Sequence, residues 1–221
     1  MKLLKCLVTF VVILLSNNSF SLEKTDLEKR FHVKISTDVI EVAKKIEACR
    51  FAPATHHQVR IMLPLLQSFL SKYKKNVIAN NLKTVYLVGQ VAVGNTPIGG
   101  TYSFKGRFIA LSAYMDLEYF AHHEFSSLLI KKYYNYEEQW VLYNGVGYTG
   151  YTNYKAMKAN KNLRKEGFLF DYSRVSFEED FNVLAGFYLY KPSWIHSIGS
   201  KNKKILYKVR LLEKFYKNLS R

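Results

Sequence analysis

Tyr119-Phe-Ala-His-His-Glu-Phe-Ser-Ser-Leu-Leu-Ile130 is the stretch on which the reading of this chain turns. Leu117, Phe120, Ala121, Leu128 and Leu129 recur with helical period and predict a helix over 117–133. Residues i and i+4 of a helix share a face, so two imidazoles at that spacing can grip one divalent ion. A glutamate directly after the first imidazole reaches the same space and can take a proton from metal-bound water. His123 and Glu124 occupy these two positions, but the residue four after His123 is Ser127. A neutral hydroxyl is a poor zinc ligand, so Ser127 enters only as a weak one acting through a water. His122 is no simple substitute, because its i+4 partner is Ser126 and its face is rotated by about 100°.

A second cluster follows some fifty residues later. Asp171-Tyr-Ser-Arg-Val-Ser-Phe-Glu-Glu-Asp-Phe-Asn-Val-Leu-Ala185 carries Ser176 with Glu179 three positions on, a capping box that predicts a helix over 176–190. Acidic side chains in a first turn are favoured by the helix dipole, so alone they read as a plain cap.

Together the two segments resemble the gluzincin-type zinc metallopeptidases. The likeness is to a small bacterial group with a His-Glu helix followed by a Glu-Asp-Phe helix, and to the lethal-factor type of toxin peptidase. The string His-His-Glu-Phe-Ser-Ser is also similar to that of secreted Bacteroidetes proteins described as zinc-binding metallopeptidases. The resemblance covers roughly residues 80 to 190. It implies Zn²⁺ held by His123 and Glu179, Glu124 as general base, and Tyr172, seven residues before Glu179, steadying the oxyanion. It also implies that Gly99-Gly100-Thr-Tyr and Arg107-Phe-Ile-Ala-Leu111 form the edge-strand region against which an extended peptide lies.

Two departures stand: Ser127 replaces the second imidazole, and Val183 replaces a later glutamate of the family pattern. Three arrangements follow. A further ligand comes from His122, Asp180 or His196; or Ser127 holds a water that completes a weak site. Otherwise the site is metal-free, and His123, Glu124 and Ser127 form an interior hydrogen-bond network of the kind that buried polar groups require.

Other chemistries are poorly supported. Ser126 and Ser127 lie in mid-helix without a Gly-x-Ser-x-Gly elbow, and a lone Cys49 reads as a small buried hydrophobe. Trp140, Tyr143, Tyr148, Tyr151 and Tyr154 form an aromatic loop, read as packed in preference to a peptide- or sugar-binding wall.

Residues 1–21 read as a secretory signal peptide. Lys2 and Lys5 precede an apolar run from Cys6 to Leu15, and Ser19-Phe20-Ser21 offers a cleavage site. Export to the periplasm, envelope or medium follows as an expectation. With only Cys49 beyond the leader, no intrachain disulfide can form. The formal net charge is +16, and 31 cationic against 17 acidic residues beyond the leader leave +14. The lysines are dispersed and no nucleic-acid motif is present, so nucleic acid is not expected as a partner. The charge suits an anionic envelope surface.

Elsewhere, periodicity predicts a helix ending near Cys49 and capped by Thr37 or Asp38, and another over 55–76 containing Pro64. It further predicts a strand over 84–93, a turn over 94–100, strands at 101–104 and 107–111, and a helix from about Lys203 to Leu219. The expectation is one α+β domain over 22–221 with a zincin-like core, a small sheet packed on the active-site helix and C-terminal helices. The expected function is that of a monomeric secreted zinc metallopeptidase-like protein hydrolysing peptide bonds. The alternative is an inactive binding protein of the envelope or surface on the same scaffold.

Overall fold

The computed structural model describes residues 23–132, 136–150 and 161–219. The expected leader, Tyr151 and Tyr154 lie outside them. Helix α1 (residues 23–31) leads into strand β1 (Lys34–Ser36), helix α2 (Val39–Ala43) and strand β2 (Cys49–Ala52). Helices α3 (His56–Ser71) and α4 (Lys75–Asn81) follow. Next come strands β3 (Thr84–Val88), β4 (Gln90–Val93), β5 (Thr96–Ile98), β6 (Gly100–Ser103) and β7 (Phe108–Ser112). The remainder is helical: α5 (Leu117–Lys132), α6 (Glu137–Val141), α7 (Lys161–Lys165), α8 (Phe177–Tyr190), α9 (Pro192–Gly199) and α10 (Lys203–Leu219). The architecture is mixed α+β, as composition and period suggest. Among the described residues, no helix is long and apolar enough to cross a membrane.

Two sheets result. The larger has the order β1-β3-β7-β6, with β1 and β7 parallel to β3 and β6 antiparallel to β7 at the edge. The smaller has the order β2-β4-β5 and is antiparallel throughout. Side chains alternate across a strand, and the larger sheet is covered on both faces along β3 and β7. Val85, Leu87, Ile109 and Leu111 belong to the main core with α1, α3, α5, α8 and α10. Tyr86, Val88, Phe108 and Ala110 belong to a smaller core with Val42, Cys49 and Val91.

The predicted strand over 84–93 is in fact two strands in different sheets. They part at Gly89, whose N–H donates to Ala52 O at 2.9 Å and where a Cβ would run into the Pro53 carbonyl. The predicted helix ending near Cys49 is also corrected. Asp38 does cap α2, accepting from the N–H groups of Ile40 and Glu41 at 2.9 Å each, but α2 is short and Cys49 opens β2. The apolar spacing of Ile46 and Ala48 mimics helical period, but the chain leaves the helix before it reaches them. The expected turn over 94–100 contains β5, and the segment after Lys191 forms α9, with Pro192 at its first position. Pro64 lies inside α3 on its exposed side.

Candidate functional site

Helix α5 is buried along nearly its whole length between the larger sheet and α8. That burial lets adjacent residues face different surroundings. His122 turns toward α3, packing on Phe69 and Tyr73, with its Nδ1 2.9 Å from the Tyr73 hydroxyl. His123 and Glu124 line a cleft with Pro97, Ile98, Gly99, Gly100, Met115, Phe120 and Tyr172. The cleft is small, with a cavity volume of about 90 Å³, room for a side chain and not for a whole drug-sized ligand.

Gly99 and Gly100 bring the backbone entering β6 directly onto α5. A Cβ on Gly99 would run into the Phe120 ring, and one on Gly100 would stand 2.9 Å from both Ala110 O and Glu124 Cγ. Bare backbone at these two positions keeps the cleft open over Glu124.

Helix α8 delivers the second cluster. The Ser176 hydroxyl accepts from Glu179 N–H at 3.2 Å, so the expected cap exists. Only that half of the capping box is formed: the Glu179 carboxylate turns away from the cap, and its Oε2 lies 3.2 Å from His123 Nε2. Burial pushes the Glu179 carboxyl up, but the His123 hydrogen bond and charge, with a hydrogen bond from Tyr172, bring it net below its ordinary value. Burial lowers His123, yet the Glu179 hydrogen bond and the charges of Glu124, Glu179 and Glu178 raise it overall. Both shifts run in the directions that favour an imidazolium beside a carboxylate, with the His123 ring buried and Glu179 half-buried. Glu124 is pushed up to about 7, chiefly by burial, with Glu179 and Glu178 adding repulsion against the relief given by His123. A carboxyl poised there can hold or accept a proton near neutrality.

His123, Glu124, Tyr172 and Glu179 are thus brought together, as the sequence suggests. The remaining candidates are engaged elsewhere. Ser127, fully buried, accepts a hydrogen bond from Asn182 Nδ2 at 2.7 Å. Asp180 pairs with Lys208 at 2.6 Å and accepts from Trp140 Nε1 at 2.8 Å, both in the interior. His196 lies on α9, 3.9 Å from Glu213. Trp140 is wholly buried, in keeping with a packed loop, and the half-buried Tyr143 stacks on the exposed Tyr207 of α10.

Could these residues hold zinc? Two ligands about 2 Å from a tetrahedral ion stand ~3.3 Å apart, and His123 Nε2 and Glu179 Oε2 match that separation. A zinc-bound imidazole ordinarily donates its other N–H to an acceptor, whereas the buried Nδ1 of His123 has no hydrogen-bond partner among the described residues. Among those residues, no three His, Cys, Asp or Glu side chains gather as a metal-holding group. Two positions of a zinc shell fit; the third does not.

Sequence reasoning missed Asn182, which stands three residues after Glu179 and so on the same face of α8. That spacing was the available signal. It also missed Glu178, which accepts from the Tyr102 hydroxyl of β6 and lies 3.6 Å from Lys131 of α5, tying α5, β6 and α8 together beside the cleft. Compared with models of protein families, with curated proteins and with solved structures, the chain matches none.

Proposed function

We propose that this chain is an exported, metallopeptidase-like protein with a zincin-like core, whose cleft binds an extended peptide along the outer edge of β6. The observation that carries the reading is the bare Gly99-Gly100 backbone, at the start of an edge strand, lying over Glu124 in a cleft also lined by His123 and Tyr172. An edge strand offers unpaired N–H and C=O groups to an extended segment, and pockets beside it select side chains. Phe120, Met115 and Ile98 supply apolar walls, and Glu124 is the carboxyl that a bound backbone would meet, beside Tyr172, which is hydrogen-bonded to Glu179. Since the described residues leave the zinc shell incomplete, capture of peptide without hydrolysis is the favoured activity.

A second reading, peptide hydrolysis, is favoured by one observation. The Glu124 carboxyl, held near 7 against the cleft, has the properties of a general base.

The test is binding of a fluorescent library of short unstructured peptides by the purified protein, measured by anisotropy. Wild type binds a subset, and Gly100→Val, which fills the cleft over Glu124, weakens binding at least tenfold while melting cooperatively. Equal binding by a folded Gly100→Val variant sinks the proposal. Incubating the same peptides with added Zn²⁺ separates the two readings: cleavage that vanishes in Glu124→Gln would establish hydrolysis.

A further inference from the structure

Four residues on the facing sides of α5 and α8 form two successive rungs. His123 meets Glu179 at 3.2 Å, and one turn along, Ser127 meets Asn182 at 2.7 Å. The spacings are i, i+4 on α5 and i, i+3 on α8, the two offsets that keep side chains stacked on one helical face. The second rung lies deep in the pair of helices that form the centre of the main core, Ser127 and Asn182 being 1% exposed, while the first borders the cleft.

We infer that the Ser127–Asn182 rung replaces a metal as the cross-link between α5 and α8, and that it is the feature excluding an ion from an otherwise preserved half-site. Three observations support this. The 3.2 Å separation of His123 Nε2 and Glu179 Oε2 suits two ligands of one ion, so half of a zinc shell persists. The position from which a third ligand would come carries a hydroxyl already occupied by an amide. That amide comes from the same helix as Glu179, so it ties together the two elements that an ion would tie.

A buried hydroxyl without a partner is costly, and the amide supplies one without charge. An amide–hydroxyl rung needs no loading, so the fold would not depend on metal supply outside the cell. This inference concerns the helix pair and holds whatever the cleft binds.

The test begins with wild type, titrated with Zn²⁺ against a chromophoric chelator and separately with Co²⁺, whose visible spectrum reports tetrahedral ligation. Wild type is expected to bind neither stoichiometrically, and its melting midpoint is expected to be unchanged by EDTA. Stoichiometric zinc in wild type, or an EDTA-sensitive midpoint, overturns the inference.

The second arm is Ser127→His with Asn182→Ala, which supplies an imidazole and clears the amide. It is expected to bind Zn²⁺ at least 100-fold more tightly than wild type, to give the tetrahedral Co²⁺ spectrum and to melt higher with zinc. A folded double variant with wild-type affinity overturns the inference. The third arm needs no designed site: Ser127→Ala, Asn182→Ala and their combination are melted together. If the rung is the cross-link, the combination lowers the midpoint little beyond the larger single effect. Strictly additive losses would show that the two side chains do not act together and would refute it.

Discussion

His122 and His123 are neighbours in the chain, yet α5 gives them opposite chemistry. His123 faces carboxylates and is drawn toward its charged form; His122 faces Phe69, Tyr73 and the interior, where burial lowers it to about 3. An imidazole that titrates near 6.5 when unfolded but near 3 when folded binds its proton preferentially in the unfolded state. Its contribution is complete above about pH 6.5 and is lost as pH falls through that window toward 3. At about 1.4 kcal/mol per pH unit, the full window is worth on the order of 5 kcal/mol. His122→Asn keeps a polar group for Tyr73 but does not titrate there. Urea unfolding should therefore show wild type losing more stability than His122→Asn between pH 7 and pH 4. Parallel losses in the two proteins would remove His122 as the source. The sequence made His122 legible as the odd histidine, off the face of His123, but not its partner, because Tyr73 lies just beyond α3 and only tertiary packing brings it within 2.9 Å.

At the scale of elements, α8 must hold Glu179 against α5, and its neighbours fix it in two ways. On one side Gly186 leaves room for the Tyr119 ring, where a Cβ would stand 2.6 Å from Cε2. Alanine would gain up to about 1 kcal/mol of helix propensity, but overpacking a buried aromatic costs ~1–3 kcal/mol. Gly186→Ala is therefore expected to destabilise, and Gly186→Val more so; a rise in the denaturation midpoint would show that the two helices can separate cheaply. On the other side Lys208 of α10, wholly buried, donates to Asp180 and to Gly167 O at 2.7 Å. Removing one member of a buried pair strands the other charge, so Lys208→Met should cost about 3–5 kcal/mol. Combining it with Asp180→Leu should recover much of that loss in chemical denaturation. A double variant as damaged as the sum of the two singles would mean that the charges were not compensating one another.

The elements themselves were largely readable where period was long and unbroken: α5, α8 and α10 match their sequence patterns. Ser176 announced α8 correctly, but the capping-box reading gave Glu179 a reciprocal role that His123 takes from it. Gly89 interrupts the strand pattern but was ambiguous as a boundary, since a lone glycine there also marks a bulge within one continuous strand. Only the approach of Ala52 and Pro53 shows why the chain divides there.

Over the whole molecule, burial is unequally shared between the two faces of the larger sheet. The main core draws on both terminal regions of the described chain and on the paired helices α5 and α8. The smaller core consists of Val42, Cys49, Tyr86, Val88, Val91, Phe108 and Ala110, and three of its contributors come from α2, β2 and β4, all short elements. Apolar burial is worth about 25 cal/mol per Å², so an element that buries few side chains can open at less than the global unfolding free energy. A polar knot closes this side. Glu41 accepts from Lys45 at 2.7 Å, from the Tyr86 hydroxyl at 2.6 Å and from Lys34 at 3.1 Å. The Lys45 and Tyr86 hydrogen bonds hold its carboxyl down at about 2. The knot is partly solvated, so its charges are screened and its contribution is modest. Because the folded carboxyl lies below its ordinary 4.5, this contribution is present above pH 4.5 and is lost as pH falls toward 2. Native-state hydrogen exchange should therefore show two classes of amide. Those of β2, β4 and β5 exchange through a partial opening, while those of α5, α8 and β7 require global unfolding. Glu41→Gln should speed exchange in the first class several-fold at neutral pH and leave the second nearly unchanged. A single protection level across both sheets, or a Glu41→Gln effect spread evenly over α5 and α8, would mean that the smaller sheet and the helical core unfold as one cooperative unit.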